Sequence, residues 1–296
     1  MLFRSGYGSP RAFVIGVRGL LAGGRLIKAG GHVVKNVAGY DLCKLFTGSY
    51  GTLVLITEVT FKLRPVPAET RTVIASGPID SLIHSAHAVI SNRLFPVALE
   101  LLSPRMAAYL GLEKSERRYS LMIRVAGSPA AVVSQAAHAL GLARKENTNF
   151  ATLADDDEAL WRALAAAPLQ FADKLIWRAG LKPTEMLQFL DEVVRLENDE
   201  ASHPSVMWHA GVGDGRLRAI AGTPLYHREA VRALERLRHR VEDLGGTLVV
   251  ESAPLEIKNE FGAWGDFGSA SELMMRVKSQ LDPQGLLSPG RLLRQI

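Results

Sequence analysis

Apolar residues fall along this chain in short blocks, with glycine, proline and charge between them. Phe13–Val17 with Leu20 and Leu21 predicts a strand, Gly23-Gly24 a turn and Arg25–Ala29 the returning strand. The β-branched run Leu53–Phe61, closed by Pro65 and Pro67, predicts a buried strand. A second unit is expected from near Thr70. Its strands are predicted over Arg71–Ala75, Val97–Leu102, Tyr119–Val125, Lys174–Arg178, Val206–His209, Leu217–Ala221 and Thr247–Glu251. Between them the period changes to that of helices. One is capped by Asp80, with Leu82, Ile83, Ala86, Val89 and Ile90 on one face. Others cover Pro104–Leu110, Asp155–Ala166, Pro183–Leu196, His227–Leu244 and Ser271–Leu281, and Ser128-Pro129 opens a further helix as N-cap and first helical residue. The pattern is α+β: an antiparallel sheet with helices on one side.

Composition narrows the function classes. A chain of 296 residues, 47% hydrophobic and 22% charged, has the material for a sizeable core and two domains. Charge interrupts every apolar run before it reaches membrane-spanning length, and the first residues lack a signal peptide's apolar stretch, so a cytoplasmic protein is the expectation. The net charge of +5 does not make a nucleic-acid face. Arg228, Arg232, Arg236, Arg238 and Arg240 share one predicted helix with Glu229, Glu235, Glu242 and Asp243, which reads as a solvated or partner-facing surface. Cys43 is the single cysteine, so the chain forms no internal disulfide and cannot alone ligate an iron–sulfur cluster. In its apolar setting it reads as a buried small hydrophobe.

Four stretches carry candidate chemistry. Lys35-Asn36-Val37-Ala38-Gly39-Tyr40-Asp41 leads into an amphipathic piece ending at Phe46, then Gly48-Ser49-Tyr50-Gly51-Thr52. Glycines there leave backbone N–H groups open to an anion such as a phosphate, and Ser49 and Thr52 add hydroxyls. The same residues also suit a helix C-cap and turn. His209-Ala210-Gly211-Val212-Gly213-Asp214-Gly215 puts a histidine at a strand end beside a glycine loop, placed for acid–base work, or simply a hairpin whose turn needs glycine. Glu251-Ser252-Ala253-Pro254 has no neighbouring histidine, and no HExxH, CxxC or Walker pattern occurs. Near the end, Asp282-Pro283-Gln284-Gly285-Leu286-Leu287-Ser288-Pro289-Gly290-Arg291 follows a helix and reads by itself as a proline/glycine loop.

Taken together, Lys-Asn-x-Ala-Gly-Tyr-Asp, Gly-Ser-x-Gly-Thr-Leu, Ile-Thr-Glu and the terminal Asp-Pro-x-Gly…Pro-Gly-Arg resemble the vanillyl-alcohol-oxidase-like flavoproteins with a PCMH-type FAD-binding domain, in particular the FAD-binding subunits of glycolate oxidases. The resemblance covers nearly the whole length. It implies part of a PCMH-type FAD-binding domain over residues 1–68, then a ferredoxin-like antiparallel cap or substrate domain over 69–296 whose terminal segment returns toward the flavin. It implies FAD as cofactor, with Gly48, Ser49, Gly51 and Thr52 facing its pyrophosphate and ribityl region, Gly39, Tyr40 and Asp41 shaping the adjoining wall, and Ile56 and Thr57 bringing main chain to the flavin side. His209 is the candidate catalytic residue, and no metal is expected. The implied reaction is oxidation of glycolate or a related 2-hydroxy acid. The implied partners are a second flavin-binding catalytic subunit and an iron–sulfur subunit, the complex lying at the inner face of the membrane. Alternatives are a non-catalytic assembly subunit and a stand-alone 2-hydroxy-acid dehydrogenase.

Four departures qualify the resemblance. The family's upstream glycine-rich FAD lobe would precede Tyr7, so the chain reads as a member beginning partway through its FAD domain. Val54 stands where a glycine is usual, and Ser288 where asparagine is usual. The catalytic sister proteins carry Glu-His-Gly at the position of Glu251-Ser252-Ala253, which puts independent glycolate oxidation in doubt.

Overall fold

The computed structural model describes residues 4–31, 40–112, 118–146, 150–154, 157–171, 174–198, 206–222 and 227–292. The chain divides into two compact units: Gly8–Val66 with Asp266–Ile296, and Leu2–Tyr7 with Pro67–Gly265.

The helical turn α1 (Arg4–Tyr7) belongs to the second unit, where Gly6 N–H donates to Val97 O at 3.1 Å. The first unit then begins with the hairpin of β1 (Val14–Leu20) and β2 (Leu26–Gly30), followed by the short helix α2 (Leu42–Phe46) and β3 (Leu55–Phe61). The sheet order β2-β1-β3 leaves β3 at an edge, antiparallel to β1. The expected burial of this strand is corrected. Leu53 and Val54, just ahead of it, are buried with Val17, Cys43 and Phe46, whereas Leu55, Ile56 and Phe61 are exposed. Among the described residues this edge strand has one partner and no layer over its side chains, and such a strand stays open however apolar its sequence. Val54 finds its room at Gly19, where any Cβ would collide with Val54 Cγ2.

In the second unit the described residues form an eight-stranded sheet made of two similar halves. The first half runs β4 (Glu69–Gly77), α3 (Ile79–Ser91), β5 (Ala98–Leu102), a short helix α4 (Pro104–Tyr109), β6 (Tyr119–Gly127), α5 (Pro129–Lys145) and β7 (Phe150–Leu153). After α6 (Asp157–Gln170) the second half repeats the plan with β8 (Leu175–Gly180), α7 (Met186–Asn198), β9 (Met207–Gly211), β10 (Arg216–Ala221), α8 (His227–Asp243) and β11 (Thr247–Ser252). The orders β7-β4-β6-β5 and β11-β8-β10-β9 are both ferredoxin-like, and the halves join edge to edge through the antiparallel pair β5–β9. β7 and the helix α9 (Leu255–Phe261) were not anticipated from sequence.

Helices cover both faces of this sheet rather than one. Leu82, Ala86, Phe189, Leu234 and Leu237 of α3, α7 and α8 pack with Leu99, Leu121, Trp177 and Trp208 on one face. On the other, Met106 of α4 and Leu160, Trp161 and Leu164 of α6 pack with Ile74, Ala98, Leu102 and Met122. The reason is visible in β5, Ala-Leu-Glu-Leu-Leu, where every position is buried, so each face needs a cover. Two caps also differ from expectation. Asp80 lies inside the first turn of α3, and Ser128 makes no side-chain cap bond. The basic helix α8 is engaged locally: Arg236 pairs with Glu192 of α7 at 2.8 Å, and Arg238 donates to the carbonyls of Phe261 and Gly262.

The chain then returns to the first unit as α10 (Ala270–Leu281), whose Val277 and Leu281 pack on the core of Val17, Phe46 and Val54.

Candidate functional site

In the first unit, α2 delivers the chain into the glycine turn. Thr47 closes the helix through its N–H and hydroxyl, both on Cys43 O at 3.0 and 2.7 Å. Gly48 then takes φ +90°, Tyr50 +55° and Gly51 +75°. Thr52 N–H donates to Ser49 O at 3.0 Å, so Tyr50 and Gly51 sit at the centre of a turn with the positive-φ pattern of type I′. Open space surrounds Gly48 where a Cβ would be, and among the described residues the N–H groups of Gly48 and Gly51 meet no acceptor. Two free amides in a left-handed turn suit an anionic oxygen. That is the feature by which the turn fits a phosphate-bearing cofactor.

The remaining predicted residues of this unit divide by location. Ser49 and Thr52 are buried, and the Thr52 hydroxyl donates back to Ser49 O at 2.7 Å, so it shapes the turn. Asp41 caps α2 by accepting from Lys44 N–H at 3.1 Å and pairs with Lys44 Nζ at 2.8 Å. The Lys44 hydrogen bonds hold its carboxyl below the usual value. Tyr40 is 96% exposed. Ile56 and Thr57 lie in β3, Thr57 donating to Arg18 O at 3.3 Å. Gly39 lies outside the described residues.

In the second unit His209 is in β9 and faces the sheet side that carries α4 and α6. Its Nδ1 lies 2.9 Å from Glu100 Oε2 of β5. The ladder sets Glu100 opposite Gly211 and Leu102 opposite His209, which makes Glu100 and His209 a diagonal pair on one face. Both are buried, at 2% and 9% exposure. On the other flank of His209 the register places Arg218 of β10 directly opposite, and Arg178 of β8 opposite Arg218. Glu251 of β11 joins the two guanidiniums. It accepts from Arg218 Nη2 at 3.0 Å and pairs with Arg178 Nε at 3.0 Å. Arg218 Nε is also 2.8 Å from Glu251 Oε2, but out of line for a hydrogen bond. The glycines of this stretch serve the β9–β10 hairpin. A Cβ on Gly211 would strike Asp214 Oδ1, and Gly215 at φ +70° leaves no room before Leu181 O.

Glu100, Arg178 and Arg218 were not predicted as site residues. Their signal was a charge between apolar residues of a strand, alone in β5 and β8 and beside Arg216 in β10, but only the register shows that they meet. Among the described residues no group of three or more His, Cys, Asp or Glu is arranged to hold a metal, and Glu251 is committed to two arginines. A cleft of about 380 Å³ between α3 and α7, lined by Ile83, His84, Leu187 and Asp191, contains none of the predicted site residues.

Residues 67–292 match the family described as FAD linked oxidases, C-terminal domain. The chain belongs to the FAD-linked oxidases. FAD is the cofactor of that family. The chain is similar to glycolate oxidase subunit GlcD of Bacillus subtilis (strain 168), 29% identical over 306 residues, and it spans 97% of itself and 64% of that protein's length. Glycolate oxidase subunit GlcE of Escherichia coli (strain K12) is 50% identical over 60 residues, 20% of this chain and 17% of that one. Among solved structures, p-cresol methylhydroxylase with substrate bound superposes with a TM-score of 0.69 at 14% identity, over 98% of this chain and 66% of that one. This last likeness shows the fold.

Proposed function

We propose that this FAD-linked oxidase takes part in the oxidation of glycolate or a related 2-hydroxy acid to the 2-oxo acid, within a multi-subunit complex. The observation that carries the reading is the row Glu100–His209–Arg218–Glu251–Arg178 across one sheet face. A 2-hydroxy acid bears a carboxylate and a hydroxyl on adjacent carbons. Directly opposed residues of an antiparallel pair have Cβ atoms about 4.5–5.5 Å apart. Arg218 is therefore spaced to take the carboxylate while His209 takes the hydroxyl proton. Gly48, Ser49, Gly51 and Thr52, together with Gly39, Tyr40, Asp41, Ile56 and Thr57, are the residues we assign to FAD. Bound FAD supplies the two-electron acceptor for the alcohol carbon. Similarity to two glycolate oxidase subunits, GlcD and GlcE, supports assembly with other subunits; the proposal includes a second flavin-binding subunit and an iron–sulfur subunit as those partners, with the complex on the cytoplasmic side of the inner membrane.

A second reading, a non-catalytic assembly subunit, is favoured by β3, which presents Leu55, Ile56 and Phe61 to solvent on a sheet edge. The visible spectrum of the purified chain, alone and with its co-expressed partners, separates the two. Flavin absorption near stoichiometry in either sample supports the enzyme reading, and its absence from both supports the assembly subunit.

A further inference from the structure

Lys278 is a buried cation in α10, 5% exposed, with every proton of its ammonium assigned. It donates to Asp282 Oδ2 at 2.5 Å, to Leu287 O at 2.9 Å and, across 226 residues of sequence, to Thr52 O at 2.8 Å. Asp282, 2% exposed, completes the arrangement by accepting from the N–H groups of Leu286 and Leu287 at 2.9 and 2.7 Å. The terminal loop is thereby folded around the lysine, and the lysine's remaining bond goes to the last residue of the glycine turn.

That turn needs holding. Tyr50 is a non-glycine residue at φ +55°, a conformation costing L residues about 1–2 kcal/mol, and Gly48 and Gly51 gain entropy if released from theirs. The Thr52 N–H and hydroxyl both bind Ser49 O, so they close the turn on itself without fixing it to the rest of the unit. Its carbonyl is fixed by Lys278. From the same segment Ser288, itself at φ +45°, brings its Oγ to 3.2 Å from where a Cβ of Gly51 would stand. Strained backbone of this kind persists only where surrounding structure over-determines it.

We propose that Lys278 is a positioning residue for the cofactor: it sets the Gly48–Thr52 turn from behind, so that the amides of Gly48 and Gly51 are presented together to the FAD pyrophosphate. The inference rests on the assignment of FAD to that turn. It makes the segment from Lys278 to Ser288 part of the cofactor site without direct contact with the ligand. A purely structural lysine would hold α10 and leave FAD affinity alone.

The test uses Lys278→Met in the full chain with its partners, and Lys278→Gln if the methionine variant does not fold. Amide hydrogen exchange at Ser49 and Thr52, whose N–H groups are bonded to Phe46 O and Ser49 O, is read without added FAD, and the FAD dissociation constant by flavin fluorescence. Loss of a charge-assisted hydrogen bond predicts exchange faster by about tenfold or more at these two amides and FAD affinity weaker by about tenfold to a hundredfold. Exchange unchanged at Ser49 and Thr52 overturns the inference, as does faster exchange with unchanged affinity. A wild-type protein that takes no FAD under any condition overturns the proposed function instead, and the exchange result then decides by itself whether Lys278 sets the turn.

Discussion

Glu100 Oε2 stands 2.9 Å from His209 Nδ1 across the strand pair that joins the two ferredoxin-like halves. In the proposed reaction the carboxylate accepts the Nδ1 proton, which leaves Nε2 as the nitrogen to take the hydroxyl proton. Replacing His209 by Ala is predicted to lower kcat by about 10²–10⁴-fold, the usual range for a lost acid–base group. Glu100→Ala leaves a buried ring nitrogen without its partner and is predicted to cost about 1–3 kcal/mol of stability as well as activity. Steady-state kinetics and thermal unfolding of both variants check this. Full activity in His209→Ala would remove His209 from the mechanism.

Arg218 is predicted to act on substrate binding. Arg218→Met, which leaves Glu251 paired with Arg178, should raise KM for glycolate by about tenfold or more, while FAD content stays at the wild-type level. A KM equal to that of wild type would place the carboxylate elsewhere.

Much of the second unit was legible in the sequence because its strands and helices are strongly periodic, and β4, β6, α5 and α8 lie where the apolar pattern put them. What the pattern could not show was anything set by neighbours distant in sequence. Leu53–Phe61 reads as a core strand by composition, yet its exposure depends on standing at an edge. The short β7 has only four residues, too few for a period to show, and it is recruited by β4. Glu100, Arg178 and Arg218 become a site only through register, and Lys278 only through a contact 226 residues away. The signature loop after Asp282 was recognisable, but the reason its aspartate matters, capture of a buried lysine, was not.

Glu197 of α7 accepts from Trp208 Nε1 and Tyr119 OH, both at 3.2 Å. Burial pushes its carboxyl up from 4.5 to about 7, against the pull of those two bonds and of Arg105. A raised carboxyl is favoured by folding in its protonated form, so stability is highest below the unfolded value near 4.5 and falls as pH rises through about 7. The span corresponds to roughly 3 kcal/mol at most. Glu197→Gln should flatten this slope and be the more stable protein at pH 8, as measured by denaturant unfolding at several pH values. A wild-type curve that is flat between pH 4.5 and 8 would contradict it.

Asp282 behaves in the opposite sense. Burial would raise its carboxyl, but the hydrogen bonds from Lys278 and from the amides of Leu287 and Leu286 outweigh burial and hold it below 3.8. Its stabilisation is present above the unfolded value and lost as pH falls through the lowered one. Asp282→Asn leaves Lys278 buried without its anion and is predicted to cost about 3 kcal/mol at neutral pH, with a smaller further loss on acidification than wild type. Unfolding of the two proteins between pH 2 and 7 tests both parts.

The proposed oxidation of a 2-hydroxy acid through the row of residues around His209 is tested most directly by anaerobic addition of glycolate, and separately of lactate, to the flavin-loaded complex while the visible spectrum is recorded. Bleaching of the flavin absorption by at least one of them in wild type, slowed by orders of magnitude in His209→Ala, is the predicted result. A loaded flavin that stays fully oxidised with every 2-hydroxy acid tried, or bleaches as fast in His209→Ala, would contradict it.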